Sequence, residues 1–246
     1  MTATVGLLGL EFADLDVAGA AALVAGLPAE ASFGYVVTPN ADHLVRLARD
    51  PVLAGIYRDA SLRLLDSRAV ARAARMLGLP APRVVPGSDL TALLLMHHLR
   101  PGERITIVGL LPRWLPALVA RCRLAPPAHY DPPMGFTTDG AAFAATVDFV
   151  LAHPARFIFL AVGSPRQELL AATIAATGRA TGTGLCIGAS LEFLSGSARR
   201  APHWMQSGGL EWLFRLAQDP RRLARRYLKD CPVVLGLLLR ERWGRI

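Results

Sequence analysis

The sequence predicts an α/β fold with a largely parallel sheet and a C-terminal helical appendage. Short apolar runs alternate with longer segments of helical pattern, as expected for strands joined by crossover helices. The 246 residues are enough for one large domain with an appendage. After about residue 196 the alternation gives way to basic helical sequence. We therefore predict a core over residues 1–196 and an appendage over residues 197–246.

The individual elements follow from the same alternation. The predicted strands are residues 33–37, 62–65, 105–108, 157–162 and 184–187. The predicted helices are residues 41–58, 69–77, 89–99, 113–123, 139–152 and 165–176. Before the first of these strands, residues 5–12 are suited to a strand or hairpin, and Asp16 is suited to capping a helix.

Composition and charge narrow the class of protein. The net charge is +8, and residues 197–246 hold ten arginines and one lysine against four acidic residues. Mean hydropathy is +0.35, yet no apolar run reaches the roughly 18–20 residues that span a bilayer. The N-terminus has no signal-peptide pattern, so we expect a cytoplasmic protein. The three cysteines have no paired spacing, which predicts free thiols, and no motif supports a nucleic-acid partner.

Polar and glycine residues follow the predicted strands, and parallel strands bring such ends to one edge of a sheet. Asp66 comes directly after a buried run, where partial desolvation would raise its proton affinity and suit it to work as a general base. A simpler interpretation is that Asp66 caps the next helix. The other candidate residues at this edge, for binding substrate, are Thr38, Asn40, Gly87, Ser88, Gly109, Gly163, Ser164, Gln167 and Glu192.

Several of these candidates also have a purely local explanation. Asn40 could form a turn or cap the following helix, and Gly87 and Ser88 could form a turn. Ser164 and Gln167 have the spacing of a capping box at a helix start, where free N–H groups attract phosphate. An ordinary capped helix would produce the same pattern.

The appendage carries the sharpest local pattern. Arg215, Arg222 and Arg225 share one helix face, and guanidinium groups match the oxygens of a diphosphate. A solvated basic helix, or attraction to anionic lipid, would also explain them. Residues 233–239 are apolar and precede Trp243, which indicates either membrane contact or docking on the core. The chain has no P-loop or G-x-G-x-x-G motif that would indicate an ATP or dinucleotide site, and its one Asp-x-Asp, Asp14-Leu15-Asp16, includes the aspartate suited to capping a helix.

Seven motifs in order resemble the WecG/TagA/CpsF glycosyltransferase family. They are TPNA (38–41), LD (65–66), VPGSD (85–89), PPMGF (132–136), GSPRQE (163–168), RAPHWMQ (200–206) and GLEWLFR (209–215). The resemblance implies a Rossmann-like core and an inverting transfer, without metal or other cofactor, from a UDP-sugar to an undecaprenyl-diphosphate-linked saccharide. It also implies an enzyme peripheral to the inner face of a bacterial membrane, and it allows a homo-oligomer.

The resemblance assigns roles residue by residue. Asp66 stands where the family places its general base, and Arg215, Arg222 and Arg225 stand where appendage arginines complete the site. Thr38, Asn40 and Gln167 match cleft positions. Two positions depart from the family: Ser67 replaces a glycine and Glu192 replaces an aspartate. A different class of function, a non-catalytic nucleotide-sugar-binding or scaffold subunit of a polysaccharide assembly complex, would make Asp66 dispensable.

Overall fold

The computed structural model describes residues 2–198 and 232–244, together with Pro202, Met205 and Phe214. In these residues a six-stranded, entirely parallel sheet has helices on both faces. The fold is Rossmann-like, as predicted. The division between a core at 1–196 and an appendage at 197–246 stays a prediction, because most of the appendage lies outside the described residues.

The described elements alternate as the sequence predicts. The strands are β1 Thr4–Leu7, β2 Leu10–Ala13, β3 Gly34–Val37, β4 Leu62–Arg63, β5 Thr106–Gly109, β6 Ala128–Tyr130, β7 Phe157–Ala161 and β8 Thr183–Cys186. The helices are α1 Val17–Ala25, α2 Ala41–Leu47, α3 Pro51–Asp59, α4 Arg68–Met76, α5 Gly87–Leu93, α6 Leu115–Cys122, α7 Gly140–Ala152, α8 Arg166–Ala176 and α9 Ser190–Ser195. A π-helical turn, Leu94–His98, extends α5, and a 3₁₀ turn, Pro112–Trp114, precedes α6. Residues 232–242 form a last helix, α10.

The order of the strands decides which loops meet. The sheet runs β4-β3-β8-β7-β5-β6, and β1 and β2 form a separate antiparallel hairpin. Val37 pairs with Arg63 on one side and with Cys186 on the other. Because every pairing in the large sheet is parallel, the loops after β4, β3, β8 and β7 follow one another along the same edge, called here the carboxyl edge.

Alternation along the strands divides the core between the two faces of the sheet. On β7, Ile158 and Leu160 pack on one face with α2, α3, α4, α7 and α8. Phe157 and Phe159 pack on the other with α1, α5, α6 and α9. All four side chains are fully buried, which is why this strand reads as a continuous apolar run.

The prediction differs from the structure in one helix that is two and in one strand that was missed. The predicted helix over 41–58 is two helices, because Asp50 caps α3 by accepting hydrogen bonds from the N–H groups of Val52 and Leu53, and Pro51 takes the first helical position. The edge strand β6 was not predicted, because its three residues, Ala128–Tyr130, are too few to show a period. The hairpin and the Asp16 cap of α1 are confirmed.

Helix α10 returns to the core. Val234 and Leu238 are buried in the cluster that includes the β1–β2 hairpin, and Glu241 Oε2 accepts a hydrogen bond of 2.8 Å from the Leu8 amide. Docking on the core is therefore the correct interpretation for one side of this segment. Leu235 and Trp243, the latter 67% exposed, point away from the core. No helix in the described ranges is both long and apolar enough to cross a membrane.

The opposite edge of the sheet, where β7 begins, is held by a buried arginine. Arg156 is 6% exposed and donates to both carboxylate oxygens of Glu103, each at 2.7 Å. It also donates to the carbonyls of Ala25 and His98, both at 2.7 Å. Its guanidinium lies 4.4 Å from the centre of the Phe157 ring. Each of its nitrogens is thus satisfied, and the residue links α1, the end of the π-helical turn and the start of β7.

Candidate active site

Asp66 lies at the carboxyl edge, directly after the fully buried Leu64 and Leu65 that follow β4. Its backbone N–H donates to the Pro39 carbonyl at 3.0 Å, and its Oδ2 accepts from the Gly87 N–H at 3.1 Å. The carboxylate therefore sits between the loop after β3 and the start of α5.

The simpler interpretation of Asp66 as a helix cap is wrong for the helix that follows it. Ser67 caps α4, and its side chain accepts from the Val70 N–H at 3.2 Å. The serine that departs from the family pattern is thus a capping residue here. The Asp66 carboxylate instead accepts from the N–H of Gly87, the first residue of α5.

Thr38 and Gly87 lie against each other beside Asp66. Thr38 is buried, and its hydroxyl donates to the Cys186 carbonyl at 3.5 Å. A β-carbon placed on Gly87 would lie 2.8 Å from Thr38 Oγ1, closer than such atoms approach one another. Only glycine lets the start of α5 come this near the end of β3. Ser88 follows in the first turn of α5, half-buried.

Asn40 caps α2. Its Oδ1 accepts hydrogen bonds from the N–H groups of Asp42 at 3.1 Å and His43 at 3.3 Å. The local interpretation of Asn40 therefore holds for this oxygen. The cap fixes α2 at the end of β3, and so places His43 in its first turn.

The capping box expected at Ser164 is not formed. Helix α8 begins at Arg166, Pro165 occupies the cap position, and no side chain caps the helix. Gln167 turns inward instead, with 2% of its surface exposed. Its Nε2 donates to Glu168 Oε1 at 2.8 Å, and its Oε1 accepts from the Gly188 N–H at 2.9 Å. Gln167 thus ties the start of α8 to the end of β8 rather than closing a cap.

A buried polar group that the sequence did not reveal lies behind this loop; we call it the Glu168 cluster, and its members are Glu168, Tyr57, His43, Ser164 and Gln167. Tyr57 Oη donates to Glu168 Oε1 at 3.0 Å and lies 3.2 Å from His43 Nδ1 and 3.4 Å from Ser164 Oγ. Glu168 is 1% exposed, and its Oε2 has no hydrogen-bond partner among the described residues. The cluster joins α2, α3, α8 and the loops after β7 and β8.

The surroundings of the Glu168 cluster disfavour negative charge. Burial raises the pKa of Glu168 above its ordinary value, and hydrogen bonds from Gln167, Tyr57, the Glu168 backbone N–H and Ser164 oppose this only in part. Burial, together with the nearby Glu168 carboxyl, also raises the pKa of Tyr57. The motif at 163–168 contained Glu168, but a single acid in an amphipathic helix gave no sign that it would point inward.

The end of β5 forms the next part of the edge. Gly109 has φ of +94°, and a β-carbon there would lie 2.7 Å from the Ala161 carbonyl oxygen, so close packing of β5 on β7 requires glycine. His129 Nε2 lies 3.1 Å from the Gly109 carbonyl oxygen and 2.9 Å from that of Leu110. Carbonyl oxygens only accept, so Nε2 carries a hydrogen. His129 was missed because its strand, β6, was missed.

The remaining candidate residues lie in the loop after β7, on α9 and in the C-terminal segment. Gly163, with φ of +77°, lies in the loop between β7 and α8, and Glu192 is exposed on α9. Arg215, Arg222 and Arg225 fall outside the described residues. Where the chain is described, histidine, cysteine, aspartate and glutamate do not gather in threes as metal ligands would.

The fold and this edge together narrow the class of protein. A parallel Rossmann-like sheet with an acid after one strand and a helix start after another is shared by many enzymes, glycosyltransferases among them, so the class follows from the family that the sequence matches. The family model described as the glycosyl transferase WecG/TagA/CpsF family matches residues 5–246, nearly the whole chain. The chain belongs to this family. It is a glycosyltransferase of the kind that builds cell-envelope polysaccharides.

Proposed function

We propose that the protein transfers a sugar from a UDP-sugar to a polyprenyl-diphosphate-linked saccharide, with inversion and without a metal ion. The observation that carries this proposal is the place of Asp66, at the carboxyl edge and held by the Gly87 N–H at 3.1 Å. Thr38 and the start of α8 lie along the same edge, where substrates of open α/β sheets bind.

The proposed reaction is a single displacement. Asp66 takes the proton from a hydroxyl of the acceptor sugar, and that oxygen forms a bond to the anomeric carbon of the donor. The bond from this carbon to the diphosphate oxygen breaks on the opposite face, and UDP leaves with its bonding electrons. The positive end of the α8 dipole and the guanidinium groups of Arg215, Arg222 and Arg225 would stabilise the charge of the leaving diphosphate.

We also propose that the enzyme works in the cytoplasm on the inner face of the membrane. Helix α10 supports this, because Leu235 and Trp243 are exposed beside the exposed Arg240 and Arg242. Apolar side chains and arginines on one surface element favour an anionic lipid surface, at about 1 kcal/mol per basic residue.

Replacement of Asp66 tests the proposal. In Asp66→Asn the side chain keeps its shape but cannot accept the proton, so transfer should fall about 100- to 10,000-fold with folding unchanged. The measurement is the mass of the product formed from a panel of UDP-sugars and a lipid-linked acceptor. Asp148→Asn, at an exposed position on α7, is the matched control.

Two results would contradict the proposal. One is near-normal turnover by folded Asp66→Asn, which would remove Asp66 as the base. The other is loss of wild-type transfer on addition of a chelator, which would mean that a metal ion stabilises the leaving group.

In the same assay Arg222→Gln should lower transfer if the appendage completes the site.

A further inference from the structure

Glu168 lies where a negative charge would oppose the proposed reaction. It occupies the first turn of α8, the eleven-residue helix that starts at the carboxyl edge. The start of such a helix favours anions, and under the proposed function the donor diphosphate binds near it. An ionised carboxylate in the same turn would repel that diphosphate and cancel part of the helix's contribution.

The contacts of Glu168 fit a neutral acid. Its Oε1 accepts hydrogen bonds from two uncharged donors, the Tyr57 hydroxyl and the Gln167 amide, while Oε2 is buried without a hydrogen-bond partner among the described residues. Buried carboxylates that stay ionised are normally paired with a cation or with several donors. A carboxyl that bears its proton on Oε2 leaves no such charge uncompensated.

The titratable groups around Glu168 come from four elements. Tyr57 faces it from α3, and His43 on α2 reaches it through Tyr57. Tyr35 on β3 and Cys186 on β8 both have pKa values raised by burial first, with the Glu168 carboxyl as a further cause. None of these groups is an arginine or lysine, and burial raises the pKa values of Tyr57, Tyr35 and Cys186, so these three are neutral at physiological pH.

We propose that Glu168 is a positioning residue that works as a neutral acid, orienting Gln167 and, through Tyr57, His43 and Ser164, and that its ionisation weakens diphosphate binding at this edge. This inference rests on the proposed function for the identity of the ligand. The acid itself touches neither substrate nor reacting atom. It sets the geometry of the loop after β7 and keeps the start of α8 free of negative charge.

Binding of UDP across pH tests the inference. Glu168→Gln keeps the shape and an acceptor oxygen but never ionises, so wild type and variant should bind UDP alike in acid, where Glu168 keeps its proton, and diverge as the pH rises through the pKa of Glu168. The wild-type dissociation constant should grow by up to tenfold per pH unit above the pKa of Glu168, relative to the variant. Calorimetric titration gives both constants, and their ratio cancels the ionisation of UDP.

Glu30→Gln, at an exposed acid far from the carboxyl edge, is the matched control and should follow wild type. Glu168→Ala should bind UDP weakly at every pH, because it removes the acceptor for Gln167 and Tyr57. A ratio between wild type and Glu168→Gln that does not change with pH would overturn the link between ionisation and binding.

A second measurement needs no ligand. Because the folded pKa of Glu168 lies above its ordinary value of 4.5, the acid contributes stability that is present below that value and is lost as pH rises through the folded pKa. Wild type should therefore lose unfolding free energy relative to Glu168→Gln as pH rises. A constant difference would overturn the neutral acid itself. Failure of wild type to bind UDP at any pH would instead overturn the proposed donor, and with it the diphosphate half of this inference.

Discussion

Arg156 and Glu168 are buried ionisable residues near opposite ends of β7, and they differ in the hydrogen-bond and charge partners that surround them. The guanidinium of Arg156 has a partner for every nitrogen, including a carboxylate held by two hydrogen bonds. Glu168 has only neutral donors on one oxygen and no hydrogen-bond partner, within the described chain, on the other.

The difference in partners indicates a different role for each end of β7. A charge that is fully paired and fully hydrogen-bonded fixes three elements in place and leaves nothing over for a ligand. An acid that is buried without a counter-ion costs stability, and such groups concentrate at functional sites. The amino end of β7 is therefore part of the scaffold, and the carboxyl end lies at the edge that carries the candidate site.

Removal of the Arg156 charge should give the largest loss of stability. Arg156→Met keeps the apolar stem but leaves Glu103 and the carbonyls of Ala25 and His98 without their donor. Breaking a buried pair from one side costs about 3–5 kcal/mol of unfolding free energy, measured by urea denaturation. The transfer rate of the protein that remains folded should not change.

The exposed Arg179 supplies the control, since Arg179→Met should stay within about 0.5 kcal/mol of wild type. If Arg156→Met were as stable as this control, the amino end of β7 would not be the scaffold described. Loss of turnover in well-folded Arg156→Met would likewise break the comparison, by giving the arginine a role in the site.

The parts of the fold that the sequence revealed are those governed by local pattern. The continuous apolar run of β7 and the Asp16 cap could be predicted from adjacent residues. The break at Asp50 was missed because the apolar pattern continues on both sides of it. A capping aspartate before a proline is nevertheless a local signal for a helix start. Strand β6 could not be predicted from the sequence, because three residues are too few to show a period and its position depends on pairing with β5.

The site shows the same limit. Asp66 was singled out because it follows a buried run and matches the position of the family's general base, and its catalytic role stays a prediction. The Glu168 cluster joins residues more than one hundred positions apart, such as Tyr57 and Glu168, and only the sheet order brings them together. Gln167 was assigned to a capping box that its spacing fits, but tertiary hydrogen bonds to Gly188 and Glu168 turned its side chain inward.

At the carboxyl end, loss of the Tyr57 hydroxyl should have a smaller effect on stability and a larger one on binding. Tyr57→Phe leaves Glu168 Oε1 with one donor and removes the link to His43 and Ser164. Leaving a buried group short of a hydrogen bond costs about 1–3 kcal/mol. The KM for the donor should rise more than kcat falls, because the loop after β7 loses its support.

Tyr130→Phe is the matched control, since that ring stacks on Phe149 at 5.3 Å on the edge strand β6. It should keep both stability and KM. A change in stability for Tyr57→Phe with no change in KM would make the Glu168 cluster part of the scaffold, and the two ends of β7 would no longer differ in kind.

The last prediction has the smallest expected effect. It compares the direction in which the unfolding free energy changes with pH at Glu103 with the direction at Glu168. Burial would raise the pKa of Glu103, but hydrogen bonds from Arg156 and the Arg100 backbone, with the charges of both arginines, hold that pKa below its ordinary value of 4.5. Glu103 therefore contributes stability that is present above pH 4.5 and lost as pH falls through its lowered pKa. Urea unfolding of wild type and Glu103→Gln should show the wild-type advantage shrinking in acid, whereas the Glu168→Gln comparison changes with rising pH. Slopes of the same sign at both ends of β7 would mean that the two acids are held in the same way.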